Sequence, residues 1–287
     1  MSRYALILLA GIAWADRVDP PLEPHLFGTH SVALAGASVV GAQGVEALFV
    51  NPAGRVVGAR AQAGAGVQTL SCGRTVAWTG LVIPHGSWGV SASWGAVSAV
   101  DIPLRDEGGA LMGTASWGRH RIGAGVARAL DFLTYAGLDV HYLRVGGAGV
   151  EADGFGVDAG VVRLVLPPLL AVGGAVHDVF TSLAYREGAS RRETIRPRFT
   201  AGVKIGLAEG RVQMEWNLFT RRDWSRWRAM AGLQAKVGRG LVARIGYGDR
   251  GLTAGIGLSS GHVGIGYAMM PDGLGSLGRG VEAVWTR

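Results

Sequence analysis

Charge is scarce in this chain. Asp, Glu, Lys and Arg make up 17% of its 287 residues, too little to solvate an ordinary globular surface but suited to a wall that faces lipid. Lysine is nearly missing, at Lys204 and Lys236 alone, so the formal charge of +7 rests on arginine; that reads as genome composition rather than a nucleic-acid surface. Cysteine occurs once, at Cys72, which excludes an intrachain disulfide framework. Long apolar runs are missing too. Past the first residues the best stretch, 32–50, is broken by Ser38, Gln43 and Glu46, so helical membrane spans of about 20 residues are disfavoured. The seven histidines never stand as H-x-H or H-E-x-x-H, and neither a metal site nor a cofactor is expected.

What the chain has instead is alternation. From Arg198 to Leu207 and from Arg211 to Phe219, polar and apolar residues trade places almost without a miss. Successive side chains of a strand point to opposite faces, so Arg198, Thr200 and Lys204 share one side with Arg211, Gln213, Glu215 and Asn217. Segments of this kind, most of them about 9–12 residues long, suit tilted crossings of a bilayer. They fall at 59–70, 74–84, 87–99, 110–117, 121–130, 138–145, 154–166, 169–179, 197–207, 211–219, 227–237, 241–247, 252–259, 263–269 and 281–285. That is fifteen, and single-chain bacterial barrels have even strand numbers; the expectation is an all-β fold, a transmembrane antiparallel β-barrel of about 14 strands. Glycine, at 48 residues, lies within the alternation, where it serves tightly packed barrel strands. Longer connections are expected at 100–109 and 181–196. Trp78, Trp88, Trp94, Trp117, Trp216, Trp224, Trp227 and Trp285 are expected as girdle residues near strand ends or on apolar faces.

Two segments precede the barrel. Residues 1–15 carry Arg3, a short apolar core and Ala13-Trp14-Ala15, the pattern of a secretory signal peptide. Residues 16–58 include a small-residue stretch with weak period-2 order and a turn at Asn51-Pro52; a compact segment ahead of the barrel at 59–287 is placed to fold into the lumen as a plug.

Motifs for catalysis fail on context. Gly257-Leu258-Ser259-Ser260-Gly261 spells G-x-S-x-G, but between two alternating strands rather than on the strand-to-helix turn that a nucleophile needs. Glycine patterns at 154–159 and 238–243 have no following helix and bind no dinucleotide. His177 and Asp178 read as neighbours that alternate at a strand end. No catalytic residue is assigned, and the chain is not expected to be an enzyme. The run 220–228, rich in Arg and Trp, suits lipid headgroups at an interface, and no nucleic-acid partner is expected. Arg198, Lys204, Arg211, Glu215, Arg228, Lys236 and Arg244 are assigned to the lumen, where a basic residue avoids the roughly 2–4 kcal/mol cost of the lipid midplane.

The stretch from Leu34 to Gly54, L-A-G-A-S-V-V-G-A-Q-G-V-E-A-L-F-V-N-P-A-G, resembles the N-terminal signature of the FadL-type outer-membrane transporters and of their PorV/PorQ-like branch. Asn51, Pro52, Ala53 and Gly54 are kept, while Gln43, Gly44 and Glu46 stand where acidic and small polar residues are usual. Gly154–Gly160 and Leu170–Asp178 are similar to further strands of that family. The resemblance implies a barrel with an N-terminal hatch at Asn51–Gly54, in a bacterial outer membrane and in contact with its lipid. It implies passive uptake or export of a hydrophobic or amphipathic small molecule; the alternative is a PorV-like subunit that binds proteins of a secretion or surface-assembly complex.

Overall fold

The computed structural model describes residues 23, 26–58, 60–106, 108–147, 150–186, 192–220, 227–272 and 276–287. The expected signal peptide lies outside them, as do Trp224, most of the Arg- and Trp-rich run and the middle of the expected connection 181–196.

Among the described residues the chain forms fifteen strands: β1 (Gln62–Thr69), β2 (Arg74–His85), β3 (Trp88–Arg105), β4 (Leu111–Ala129), β5 (Thr134–Gly147), β6 (Val150–Leu166), β7 (Leu170–Tyr185), β8 (Arg192–Thr194), β9 (Arg198–Leu207), β10 (Val212–Thr220), β11 (Trp227–Lys236), β12 (Leu241–Gly248), β13 (Gly251–Ser260), β14 (Val263–Pro271) and β15 (Leu277–Thr286). Fourteen of them make a closed antiparallel wall. Each pairs with its neighbour in the chain, β7 pairs with β9, and β1 meets β15 to close the circuit. The three-residue β8 only lines part of β7. A closed wall leaves no sheet edge, as lipid requires of a β-structure.

The strand count of about fourteen holds, but one division of the sequence does not. Segments 110–117 and 121–130 are a single strand, β4, of 19 residues. Gly118, Arg119, His120 and Arg121 look like a turn in sequence, yet they pair in unbroken register with Ser98, Val97, Ala96 and Gly95 of β3. The long connection expected at 100–109 is shorter as well: β3 continues to Arg105 across a register shift after Ala99, with Asp101 at φ 55°. Likewise 181–185 belongs to β7 rather than to a loop.

One end of the barrel carries only turns of two to four residues, from Gly86–Ser87 to Gly261–His262; the other carries the longer connections and the far ends of β3 and β4. Short periplasmic turns and longer extracellular loops define inner and outer ends. The exterior is apolar, with Val90, Ile122, Val126, Leu138, Val140, Val161, Ile245, Ile256, Ile265 and Val281 exposed. Trp88, Trp216, Trp227 and Trp285 join this surface. Trp78 does not. It turns inward from the middle of β2 and is 5% exposed, because Gly64 and Gly66 across on β1 leave room for the indole.

Residues 26–58 lie inside the barrel as helix α1 (Thr29–Ala33) and two 3-10 turns, η1 (Gly44–Ala47) and η2 (Pro52–Val56). Almost every side chain from Leu26 to Val56 is buried. Inward glycines thin the wall to admit this segment. A Cβ on Gly95 would lie 2.9 Å from the Phe27 and Phe49 rings, and one on Gly232 would lie 2.9 Å from Leu34.

Candidate functional site

The turn Asn51–Gly54 sits deep in the barrel against β5 and β6. Asn51, 0% exposed, caps η2 by accepting the Ala53 N–H through Oδ1 (3.1 Å) and donates through Nδ2 to the carbonyls of Val39 (2.7 Å) and Val161 (3.3 Å). Pro52 follows as the first residue of η2, where its missing N–H costs nothing. The turn fits because Gly137 and Gly160 stand opposite each other across the β5–β6 ladder. A Cβ on Gly160 would overlap Asn51 Oδ1, and one on Gly137 would overlap Pro52.

Beside the turn lies a buried ionic network. Asp139 on β5 and Asp158 on β6 are directly paired in register, a placement that repels. Arg121 resolves it, donating from Nη2 to Asp139 Oδ2 and Asp158 Oδ2, each at 2.7 Å. Arg55, from the inner segment, donates to Asp139 Oδ1 at 2.6 Å and to the Leu48 carbonyl at 2.8 Å. Gly125, opposite Asp139 on β4, makes the room: a Cβ there would overlap the Arg55 guanidinium.

β7 completes the network by a bulge. Ala159 pairs with Val176 and Val157 with Val179, so His177 and Asp178 together face the single residue Asp158. Asp178 takes φ 60°, and both side chains end up buried. Reading them as alternating at a strand end is therefore corrected: they lie mid-strand, and the bulge turns both from lipid. Asp178 accepts from Arg198 (2.7 Å), and its N–H donates to Asp158 Oδ1 (2.9 Å). The His141 ring stands among the three carboxylates at 3.6–3.8 Å, and His177 Nδ1 is 3.1 Å from Asp158. Asp139, His141 and Asp158 have donor atoms within 4.8 Å of one another, as metal ligands do. The guanidiniums, however, already occupy both oxygens of Asp139 and one of Asp158.

The other expected lumen residues divide. Lys204 and Glu215 are register partners on β9 and β10, and Glu215 Oε2 accepts the Gly41 N–H of the inner segment at 3.0 Å. Arg244 donates to Gln234 (2.7 Å), and Arg228 pairs with Asp249 (2.7 Å) near the outer end. Arg211 and Lys236 are exposed at the inner end and join neither group. Only Arg198, of the seven, belongs to the network under Asn51–Gly54. Sequence reasoning missed Arg55, Arg121, Asp139, His141 and Asp158. Their signal was a charged or imidazole side chain at the inward positions of apolar strands, and in Arg55 a charge directly after N-P-A-G.

Further around the wall the inner segment is held through its backbone. Asn217 donates to the Gly36 carbonyl (2.9 Å), Thr253 to that of Ala33 (2.8 Å), and Glu282 accepts the Thr29 N–H (2.7 Å). Toward the outer end the interior is apolar: Phe27 stacks on Phe49 at 4.3 Å, Phe49 meets Trp78 edge-on, and Val76, Leu143, Leu183 and Met270 close round them.

No protein-family model and no curated protein matches the sequence. Solved structures do. The Pseudomonas putida toluene transporter TodX superposes with a TM-score of 0.65 at 13% identity, over 91% of this chain and 97% of that one. The CymD monoaromatic hydrocarbon channel gives 0.66 at 10% identity, over 91% and 97%. The chain has the fold of these channels. At such identities the likeness is one of fold.

Proposed function

We propose that the protein is an outer-membrane channel for passive passage of hydrophobic or amphipathic small molecules, with the segment ending at residue 58 as its plug. One observation carries this reading: the inner segment fills the barrel yet shares no strand pairing with it among the described residues. Their hydrogen bonds each use a side chain on one side or the other, so the segment can shift while the wall keeps its ladder. The apolar outer half, lined by Phe27, Phe49, Trp78, Leu143 and Leu183, suits a small hydrocarbon ring better than a sugar or an ion. The fold shared with a toluene transporter and a monoaromatic hydrocarbon channel supports the same substrate class. A secretion-complex subunit gains no support from these neighbours.

The test is uptake of toluene into liposomes that carry the purified protein, set beside a hydrophilic sugar. Toluene is expected to enter faster than through protein-free vesicles, and deletion of residues 26–56 is expected to admit the sugar as well. Toluene flux equal to that of empty vesicles would end the reading.

A further inference from the structure

The plug is tied to the wall by one buried cluster whose charges balance: Arg55, Arg121 and Arg198 against Asp139, Asp158 and Asp178. Two imidazoles are embedded in it. His141 is 1% exposed and His177 is 3% exposed, and their ring nitrogens face carboxylates, His141 at 3.6–3.8 Å and His177 Nδ1 at 3.1 Å. The carboxylates facing them are ready acceptors for N–H groups that added protons would create. His141 looks onto Asp139 of its own strand, Asp158 of β6 and Asp178 of β7. Arg121 of β4 shares the first two of these and Arg198 of β9 the third. Arg119 lies two residues along β4 on the same face, and Arg55 reaches in from the plug.

From this arrangement we infer that His141 and His177 are a proton-binding site that loosens the plug in acid. The inference rests on the plug reading and concerns regulation at that same site. With both rings neutral the three arginines and three aspartates sum to zero; with both protonated they and the rings carry two excess positive charges in a buried space that Arg119 already borders. One cation among its members can leave. Arg121 and Arg198 are fixed in spanning strands, whereas Arg55 belongs to a segment with no ladder to the wall. Repulsion, together with competition of the His141 imidazolium for Asp139, is relieved when Arg55 withdraws, and Asn51–Val56 goes with it.

The experiment is hydrogen exchange of the amides of residues 51–57 in the full-length protein, corrected for the intrinsic pH dependence of exchange, and it needs no transported molecule. Between about pH 7.5 and about pH 5, protection of these amides is expected to fall at least tenfold. In a His141→Gln, His177→Gln double variant it is expected to stay at the neutral-pH value. Arg55→Leu gives a second check should the double variant fail to fold: its protection is expected to be low at both pH values. Unchanged protection in the wild-type chain overturns the proposal. So does a drop that survives in the double variant, or one abolished by His30→Gln on the far side of the plug. If toluene uptake fails while the exchange response holds, the channel reading falls and the proton site stands.

Discussion

The inner segment, proposed above as the plug, is fastened to the barrel in two different ways. Against β4–β6 it contributes its own side chains, Asn51 and Arg55, to a cluster in which each acid is matched by a guanidinium. Against β10, β13 and β15 it offers mainly backbone: the wall sends Glu215 to the Gly41 N–H, Asn217 to the Gly36 carbonyl, Thr253 to the Ala33 carbonyl and Glu282 to the Thr29 N–H. The first attachment depends on which residues the plug carries. The second depends on its backbone path, and tolerates exchange of plug side chains that keep that path. What the inner segment offers to β4–β6 includes the charge of Arg55, and what it offers to β10, β13 and β15 is neutral N–H and C=O; a buried charge left alone costs far more than a hydrogen bond lost at a neutral group, so the β4–β6 side is where single substitutions in the segment decide whether it stays.

Breaking that side gives the largest expected effect. Asp139→Ala strands Arg55 and leaves Arg121 with Asp158 alone, and removal of one partner from a buried pair costs about 3–5 kcal/mol. Urea unfolding of the variant in lipid vesicles is expected to show a loss of that order. Adding Arg55→Leu to it is expected to recover part of the loss, since the stranded charge is then gone. A double variant as unstable as the sum of its two single changes would show that Arg55 and Asp139 are not coupled.

The backbone-directed side yields a smaller change. Glu215→Gln keeps an amide oxygen to accept the Gly41 N–H, and the loss is expected to be no more than that of one hydrogen bond, about 1 kcal/mol. Exchange protection at Gly41 is the readout, and it is expected to fall by less than tenfold. A collapse as large as that of Asp139→Ala would erase the distinction between the two attachments.

Why the wall was legible from sequence and this fastening was not follows from range. A strand declares itself within ten residues, because lipid on one side and lumen on the other impose period two, as in Arg198–Leu207 and Leu241–Gly248. The misjudged break at Gly118–Arg121 has the same root: inward arginines beside glycine look like a polar turn until the register with β3 is known. Asn51–Gly54 was visible as a turn by its Asn-Pro, but its seat was not, since Gly137 and Gly160 become a notch only when β5 and β6 are paired. Asp139, Asp158 and His141 are single polar residues in apolar strands; their meaning rests on partners in β4 and β7 and on a bulge that no local periodicity announces. Lys204 and Glu215, by contrast, were readable together because one short hairpin holds both.

A last expected effect separates the two attachments by pH. His30 belongs to the plug and lies on the α1 side, 3.3 Å from Glu46. Burial, reinforced by Arg244 and Lys204, pushes its imidazole well below the ordinary range. In the unfolded chain the ring titrates near about 6.5. Below that value the unfolded state therefore binds a proton that the folded state refuses, and stability contributed by His30 is present above about pH 6.5 and lost as pH falls through it, by at most about 1.4 kcal/mol per unit. His30→Gln is expected to flatten this part of the global stability profile while leaving the acid response of residues 51–57 in place. Should the variant instead abolish that local response and keep the global slope, the α1 side would be the proton-sensitive one, and the assignment of the two attachments would have to be exchanged.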